Sequence, residues 1–454
     1  MFDDRKPGAP RAIVVGSGAA GTSAAFRLKQ AGANVTVLEK EARLGGRTRT
    51  ERVDGFIVDT GAGLMPGSYS ALYALMNDAG IGDALAPMNS PVAISRNGQL
   101  HYLDLSHPTQ SILSTSLFGL GAKLSLAKLG PRALRMWRSL GFDTITGAAP
   151  WDDETLTSYA RRELNRDVYE YLLNPTQKIM YTIRSEDASI VDLFWVSKNL
   201  FHPKAFCVRG GMDRVVEGVS KHFTTRTGVE VLKVEETPLE VRVTMRDATG
   251  QVTTEGADVC VIATPAREVP KIDAGLGEGP RRFLSELRYS WLTDLHLRLR
   301  SRPDEKAVLI MVPDDVDPDL AGLLLDHNKG ADRAPAGKGA LSAYFMDHWA
   351  TKMYDQPDEK IFEAGLAKIE RAMPGIAKLV EGYHVQRWDF AATASYPGYY
   401  KKLAEFERGL DLERRVQLAG DYFAMASVNT AVTSGALVAQ RLVANHFGSQ
   451  RVGS

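Results

Sequence analysis

Residues 11–21 read RAIVVGSGAAG, an apolar run that breaks into glycines spaced as Gly16-x-Gly18-x-x-Gly21. Apolar residues in unbroken succession, ending at glycine, mark a short strand buried on both faces. The stretch that follows, SAAFRLKQAG, has helical spacing and a stop at Gly32. A second apolar strand, Asn34 to Glu39 (NVTVLE), completes a parallel strand–helix–strand unit. Each glycine has its own task. Gly16 turns the chain off the strand, Gly18 lets backbone approach a pyrophosphate, and Gly21 lets helix and strand pack closely. The helix start, at Ala19 and Ala20, offers free N–H groups and about half a positive charge to phosphates.

Glu39 closes the second strand where a carboxylate accepts hydrogen bonds from a ribose diol and repels a 2′-phosphate. This is a Rossmann-type unit, and its context suits FAD and NAD alike. Farther along, residues 229–233 (VEVLK), 240–246 (EVRVTMR) and 251–262 (QVTTEGADVCVI) read as strands, the last stopped by Pro265. Residues 415–421 (RVQLAGD) form another short strand running into Gly420 and Asp421, and TAVTSGALVAQRLVANHF reads as a helix. Residues 152–200 are helical in pattern, and 289–299 and 339–346 read as strands. The expected architecture is therefore α/β. A Rossmann-type domain is built from three sequence segments (1–85, 205–270 and 410–454). An α+β substrate domain with a helical insertion takes 86–204 and 271–409.

Composition narrows the function. The 454 residues carry no net charge, which argues against a nucleic-acid footprint. Two cysteines, Cys207 and Cys260, are too few for a disulfide framework or a metal cluster and read as buried thiols. His202, His296, His327 and His384 are scattered without metal spacing, so no metal is expected. MFDDRKPGAP lacks an apolar core for a secretory signal, and no run is long enough to span a bilayer, so a cytoplasmic location is expected. Residues 111–140 mix Leu, Phe and Trp with Lys and Arg and hold no acid. Packing on their own domain is the plainer account of them; contact with a membrane surface is the other.

The segment after Glu39 and Lys40 separates the two dinucleotides. Residues 39–50 read E-x-x-x-R-x-G-G-R-x-x-T, with Gly45, Gly46 and Arg47 at its centre. This run resembles that of the protoporphyrinogen oxidase and amine oxidase superfamily of flavoproteins, and GFIVDTGAGL (55–64, with Gly61, Gly63 and Leu64) is similar to the family's next flavin-contacting loop. Val208–Met212 resembles its glycine-pair turn. The resemblance implies an adenine contact near Val234. It also implies a C-terminal flavin motif at 418–421 and 427–435, where Asp421 meets the ribityl–phosphate side and the amides opening a helix at Val428 face the ring. FAD is thus the implied cofactor.

The flavin carries the hard chemistry, so the protein's task is to place a substrate C–H bond and exclude competitors. Residues 152–181 and 326–338 resemble the protoporphyrinogen-oxidase-like branch. The lysine that amine oxidases of this kind carry would fall at Thr293 or Asp294, and Lys306 lies too far along to replace it. Of the amine-binding aromatic cage, the resemblance leaves Tyr396, expected to stack on substrate. Ser395 stands where some relatives have a flavin-linked cysteine, and Ser427 fills the second cage position. Tyr399 and Tyr400 are further candidates for the pocket, with core packing as the alternative, and Lys178 and Arg184, beside Tyr181, for a substrate carboxylate, with a solvated helix face as the alternative. The resulting expectation is an oxidase that takes hydride from a cyclic or heterocyclic small molecule and passes electrons to oxygen. The alternative is a flavin amine oxidase. The oligomeric state is not specified by any of these features.

Overall fold

The computed structural model describes residues 8–88, 91–200 and 202–447. Its organising element is a five-stranded parallel sheet in the order Thr224–Thr227, Asn34–Glu39, Arg11–Val15, Val259–Ile262, Val416–Leu418. Val14 lies opposite Val37 on one side and Val261 on the other. One face of these strands packs Val14, Val37 and Val261 against Ala24 and Leu28 of helix Ala19–Gln30 and Ala439 and Leu442 of helix Val428–His446. These two helices meet at backbone distance. A Cβ on Gly435 would lie 2.1 Å from the Ala20 carbonyl oxygen, and Ser23 Oγ donates to Val432 O at 2.8 Å. The opposite face, with Ile13 and Val15, shares its core with Val234, Val243 and Met245 of a three-stranded antiparallel meander.

That meander corrects the reading of 251–262 as one strand. The chain forms Val252–Ala257 in the antiparallel sheet and Val259–Ile262 in the parallel one. Asp258 is the pivot: its N–H donates to Arg11 O at 2.8 Å and its carboxylate accepts from Arg11 N at 2.7 Å, which lets one chain serve two sheets.

A second, seven-stranded sheet runs Val380–Trp388, Leu292–Leu299, Gly339–Phe345, Leu320–Leu324, Leu309–Met311, Val92–Arg96, Gln99–Leu103. It is antiparallel except where Leu309–Met311 runs parallel to Val92–Arg96. Leu295, Leu297 and Phe345 enter a core shared with Ile361 and Ile369 of helix Asp358–Ala372. Helices at 156–199 complete this half, and Thr182, at φ 56°, ends helix Asn174–Tyr181 in the left-handed conformation. Residues 111–140 fold as short helices, Leu120–Ser125 and Leu129–Met136 among them, with Leu117, Phe118, Met136 and Leu140 buried.

Where helix Ile190–Asn199 meets the chain around residue 400, the interior is polar. Ser395 Oγ and Tyr400 OH both donate to the Asp192 carboxyl, the latter at 2.7 Å, while Tyr400 N donates to Asp152 at 2.6 Å. Ser395 and Tyr400 are therefore structural partners of a buried acid. Burial pushes the Asp192 carboxyl up to about 7, above the ordinary carboxylate range, so the native state holds a proton that the unfolded chain releases. Stability must then fall as pH rises from about 4 to about 7. Asp192→Asn, neutral throughout, is expected to flatten this part of the profile, raising Tm at pH 8 more than at pH 5; thermal melts across that range measure it.

Candidate FAD and substrate cavity

The glycine turn is built as its spacing demands. Gly16 sits at φ 98° and a Cβ there would come 2.8 Å from Ala263 O; one on Gly21 would lie 2.0 Å from Gly16 O. Gly18 differs: a Cβ there meets nothing within 4 Å, because it faces an open groove. The turn leaves room where a pyrophosphate would lie against the start of helix Ala19–Gln30.

That groove is a cavity of about 690 Å³. Of the residues expected to hold a cofactor, Gly16, Gly18, Ala19, Ala20, Glu39, Lys40, Gly45, Gly46, Arg47, Gly61, Gly63, Leu64, Gly420, Asp421 and Val428 all line it. Gly21 acts one layer behind, as the close contact between helix and strand. At one end Glu39 is folded over the turn: its carboxylate accepts from Ser17 N at 2.9 Å, Ser17 Oγ at 2.7 Å and Glu41 N at 2.9 Å. Its backbone oxygen accepts from Val229 N at 2.9 Å, which brings Val229, Glu230 and Val231 to the cavity wall. Val234 is corrected here. It lies farther along the same strand, fully buried in the core between the meander and the parallel sheet, and Val231 takes the wall position.

Midway along, Arg47 joins distant segments, donating to Asp421 at 2.8 Å and to Ala391 O at 2.8 Å. Burial works against its charge, but Asp421 and Tyr289 outweigh it and hold the guanidinium above its ordinary value. The loop carrying Gly61 and Gly63 rests on residues that sequence reasoning missed. Asp59, buried, accepts from Lys329 at 2.9 Å, Arg333 at 2.7 Å, Thr50 Oγ1 at 2.8 Å and Met212 N at 2.9 Å. Burial alone would raise its carboxyl; Lys329 and Arg333 bring it below the ordinary range. A Cβ on Gly63 would lie 3.2 Å from Lys329 Nζ, so this cation sits directly beneath the loop. Partners some 270 residues apart leave no local pattern.

The remaining wall comes from the seven-stranded sheet and helix Asn174–Tyr181: Ile179, Met180, Tyr181, Leu309, Leu324, Tyr344 and Trp388. Tyr396 is corrected: it lies off this wall, its ring 5.9 Å from Tyr399 with Lys402 nearby, and Tyr399 is likewise in the core. Phe390 and Trp388 bring aromatic surface to the cavity instead. Lys178 is buried and bound to Asp314 and the carbonyls of Val312 and Asp317, and Arg184 pairs with Asp187, so neither reaches the cavity. Tyr181 does reach it. Lys306 lies over the Tyr102 ring, far from it. Among the described residues no cluster of three potential metal ligands occurs, and both cysteines are buried and free.

The cavity has the glycine cradles that a dinucleotide's close backbone approach needs; Thr264 Oγ1 and Tyr181 OH, of residues on its wall, are buried without a partner among the described residues. The profile of the flavin containing amine oxidoreductases matches residues 19–443. The mitochondrial protoporphyrinogen oxidase of Nicotiana tabacum is 31% identical over 175 residues, 38% of this chain and 33% of that protein. The match thus spans about a third of the length of this curated relative. The fold is similar to that of cyclohexylamine oxidase from Brevibacterium oxydans (TM-score 0.76, 18% identity, 96% of this chain and 99% of that one). It is equally similar to putrescine oxidase bound to putrescine (TM-score 0.76, 18% identity, 96% and 99%).

Glu39→Gln keeps the side chain's size and removes its charge. FAD affinity is expected to drop about tenfold to a hundredfold, the cost of a hydrogen bond to a charged group at about 1.5–3 kcal/mol. Titration of the quenching of flavin fluorescence reads the change.

Proposed function

The chain belongs to the flavin-containing amine oxidoreductase family, and on that premise we propose that it oxidises a cyclic or heterocyclic small molecule by hydride removal from a C–H bond, with oxygen as final acceptor. Residues 1–85, 205–270 and 410–454 hold FAD in this reading, and 86–204 and 271–409 shape the substrate's space. FAD, when bound, supplies the two-electron acceptor. Glu39 would hold the ribose, the Gly16–Gly21 turn the pyrophosphate, and Arg47 with Asp421 the middle of the molecule. The amides that open the helix at Val428 supply partial positive charge to a ring that becomes electron-rich on reduction.

The observation that carries the substrate reading is the neutrality of the far wall. Every lining residue from helix Asn174–Tyr181 and from the strands at 309–311, 320–324 and 339–345 is apolar or aromatic: Ile179, Met180, Tyr181, Leu309, Leu324 and Tyr344. At the aromatic rim, Asp389 is paired with Arg267 at 2.8 Å, and the guanidinium of Arg49 lies 5.5 Å from the Trp388 ring. A cationic amine would leave water without a counter-charge on that wall, whereas a flat ring system would bury apolar surface against it. The protoporphyrinogen oxidase among the relatives agrees with a large cyclic substrate. Anaerobic mixing of the FAD-loaded protein with porphyrinogens, cyclic alkenes and amines tests this. Bleaching of the flavin spectrum by the ring compounds is expected, and bleaching by amines alone would replace the reading with an amine oxidase.

We also propose that the protein works in the cytoplasm and rests on an anionic lipid surface through 111–140. Leu113, Leu120, Leu124, Leu134 and Trp137 are 64%, 74%, 66%, 80% and 48% exposed. They stand among Lys123, Lys128, Arg135 and Arg138, with no acid from 105 to 142. Exposed apolar side chains interspersed with cations complement anionic headgroups. Among the described residues no helix is long and apolar enough to cross a membrane. Wild type is expected to sediment with phosphatidylserine vesicles, less so at high salt, and not with phosphatidylcholine alone. Leu120→Glu with Leu134→Glu should abolish sedimentation while flavin content is kept; absence of wild-type binding would overturn the proposal.

A further inference from the structure

Among the described residues, the cations lining the cofactor cavity are Lys40, Arg47, Arg49, Arg267 and Arg387. Lys40 is exposed and keeps its water. Arg47 is held by Asp421 at 2.8 Å, Arg267 by Asp389 at 2.8 Å and Arg387 by Asp358 at 2.5 Å. Arg49 is different. It is half-buried, its Nε is buried with no acceptor among the described residues, and the acids that act on its guanidinium do so through space.

Its surroundings sharpen the contrast. Burial lowers the Arg49 guanidinium from its ordinary value and Arg43 lowers it further, while Glu51, Glu41 and Glu39 pull the other way. Glu51 and Glu39 are committed elsewhere, Glu51 to Arg43 and Glu39 to Ser17 and the Glu41 amide, and Glu41 is exposed to water. What Arg49 does have is a platform. Its carbonyl accepts from Thr60 N at 3.0 Å, and Thr60 O accepts from Trp388 Nε1 at 2.6 Å, so one residue fixes both. The guanidinium lies 5.5 Å from the Trp388 ring. Attraction to that ring offsets part of the desolvation and leaves the N–H groups without an acceptor. A half-buried cation in this state is costly until an anion meets it.

We propose that Arg49 is a specificity-determining residue, receiving a carboxylate carried by the ring substrate while Trp388 supports the guanidinium. The inference deepens the ring-substrate reading above and rests on it. The cofactor's own anions are provided for at the Gly16–Gly21 turn and at Arg47. Arg49 instead stands against Trp388, which lies opposite Leu292 in register, on the side where that reading puts the substrate. A guanidinium offers a carboxylate two parallel N–H donors, and the pair is stronger away from bulk water. The same cation repels an amine, so one side chain both selects and excludes.

Binding alone tests this, so no turnover is required. The FAD-loaded protein is titrated with naphthoate, its neutral counterpart naphthamide and the cation naphthylmethylammonium, each read by perturbation of the oxidised flavin spectrum. Wild type is expected to bind naphthoate about tenfold to a hundredfold tighter than the amide, the range of a hydrogen bond to a charged group, with the ammonium weakest. Arg49→Met should lose that preference while the amide stays near its wild-type affinity. Arg49→Lys, charged but without the planar fork, should keep part of it. Equal binding of naphthoate and amide by wild type, no binding of naphthoate, or a methionine variant that weakens both alike would overturn the proposal. So would a methionine variant that loses FAD, because the anion would then be a cofactor phosphate. Should that variant fail to fold, the lysine variant decides, and an undiminished naphthoate preference in it sinks the idea. A naphthoate preference that depends on Arg49, with no ring compound bleaching the flavin, would uphold the anion contact and fail the oxidation reading instead. A wild type that takes up no FAD would sink both.

Discussion

One carboxylate ties the two halves of the molecule together. Asp59 is buried with two cations and two further donors on it, and those donors come from three parts of the chain: Thr50, Met212, and the loop with Lys329 and Arg333. A buried charge is costly unless every partner is in place, and losing one partner leaves the others exposed to the full penalty. The cluster therefore behaves as an all-or-none clamp. It fixes the Gly61–Leu64 loop on the parallel-sheet side to the seven-stranded sheet that supplies the far wall. The bonds from Arg47 to Ala391 O and from Trp388 Nε1 to Thr60 O join the same two halves beside it.

Within that frame, the groove is graded in charge. The end near Glu39 and the middle near Arg47 and Asp421 carry ionised side chains, matched to ribose and phosphate. The wall near Tyr344 and Leu324 carries none. The same gradient separates two tasks that would otherwise interfere. Phosphates need amides, cations and space, which glycines provide; a ring exchanging electrons with an apolar substrate needs a dry wall where weak dipoles count for more.

The parts of this arrangement legible in the sequence were those with local signatures. The spacing of Gly16, Gly18 and Gly21, the carboxylate ending a strand at Glu39, and the Gly420–Asp421 turn before a helix each combine backbone need and side-chain chemistry within a few residues. The seven-stranded sheet was harder to see. Only 289–299 and 339–346 stood out in it, because strands such as Leu309–Met311 and Leu320–Leu324 are short and buried on both faces, and show no alternation. The Asp59 clamp was invisible for a different reason: an ion cluster assembled across the fold has no period. Val234 and Tyr396 show the limit of motif position. Val234 lies three residues beyond Val231 on the same strand, and Tyr396 follows a motif whose aromatic surface reaches the cavity earlier, at Trp388 and Phe390.

That last displacement bears on how substrate choice is written into such a chain. The cofactor is gripped largely by backbone and by small residues whose identity is dictated by steric limits, so those positions have little freedom to vary. The wall is different. Leu292, Tyr344, Gln386 and Trp388 project from strands whose opposite faces are locked into the core under helix Asp358–Ala372. Their backbone is held by the ladder whatever side chain they carry, so size and polarity on the cavity face can change without unsettling the sheet. The rigid core on one face is what allows the side chains on the other to differ.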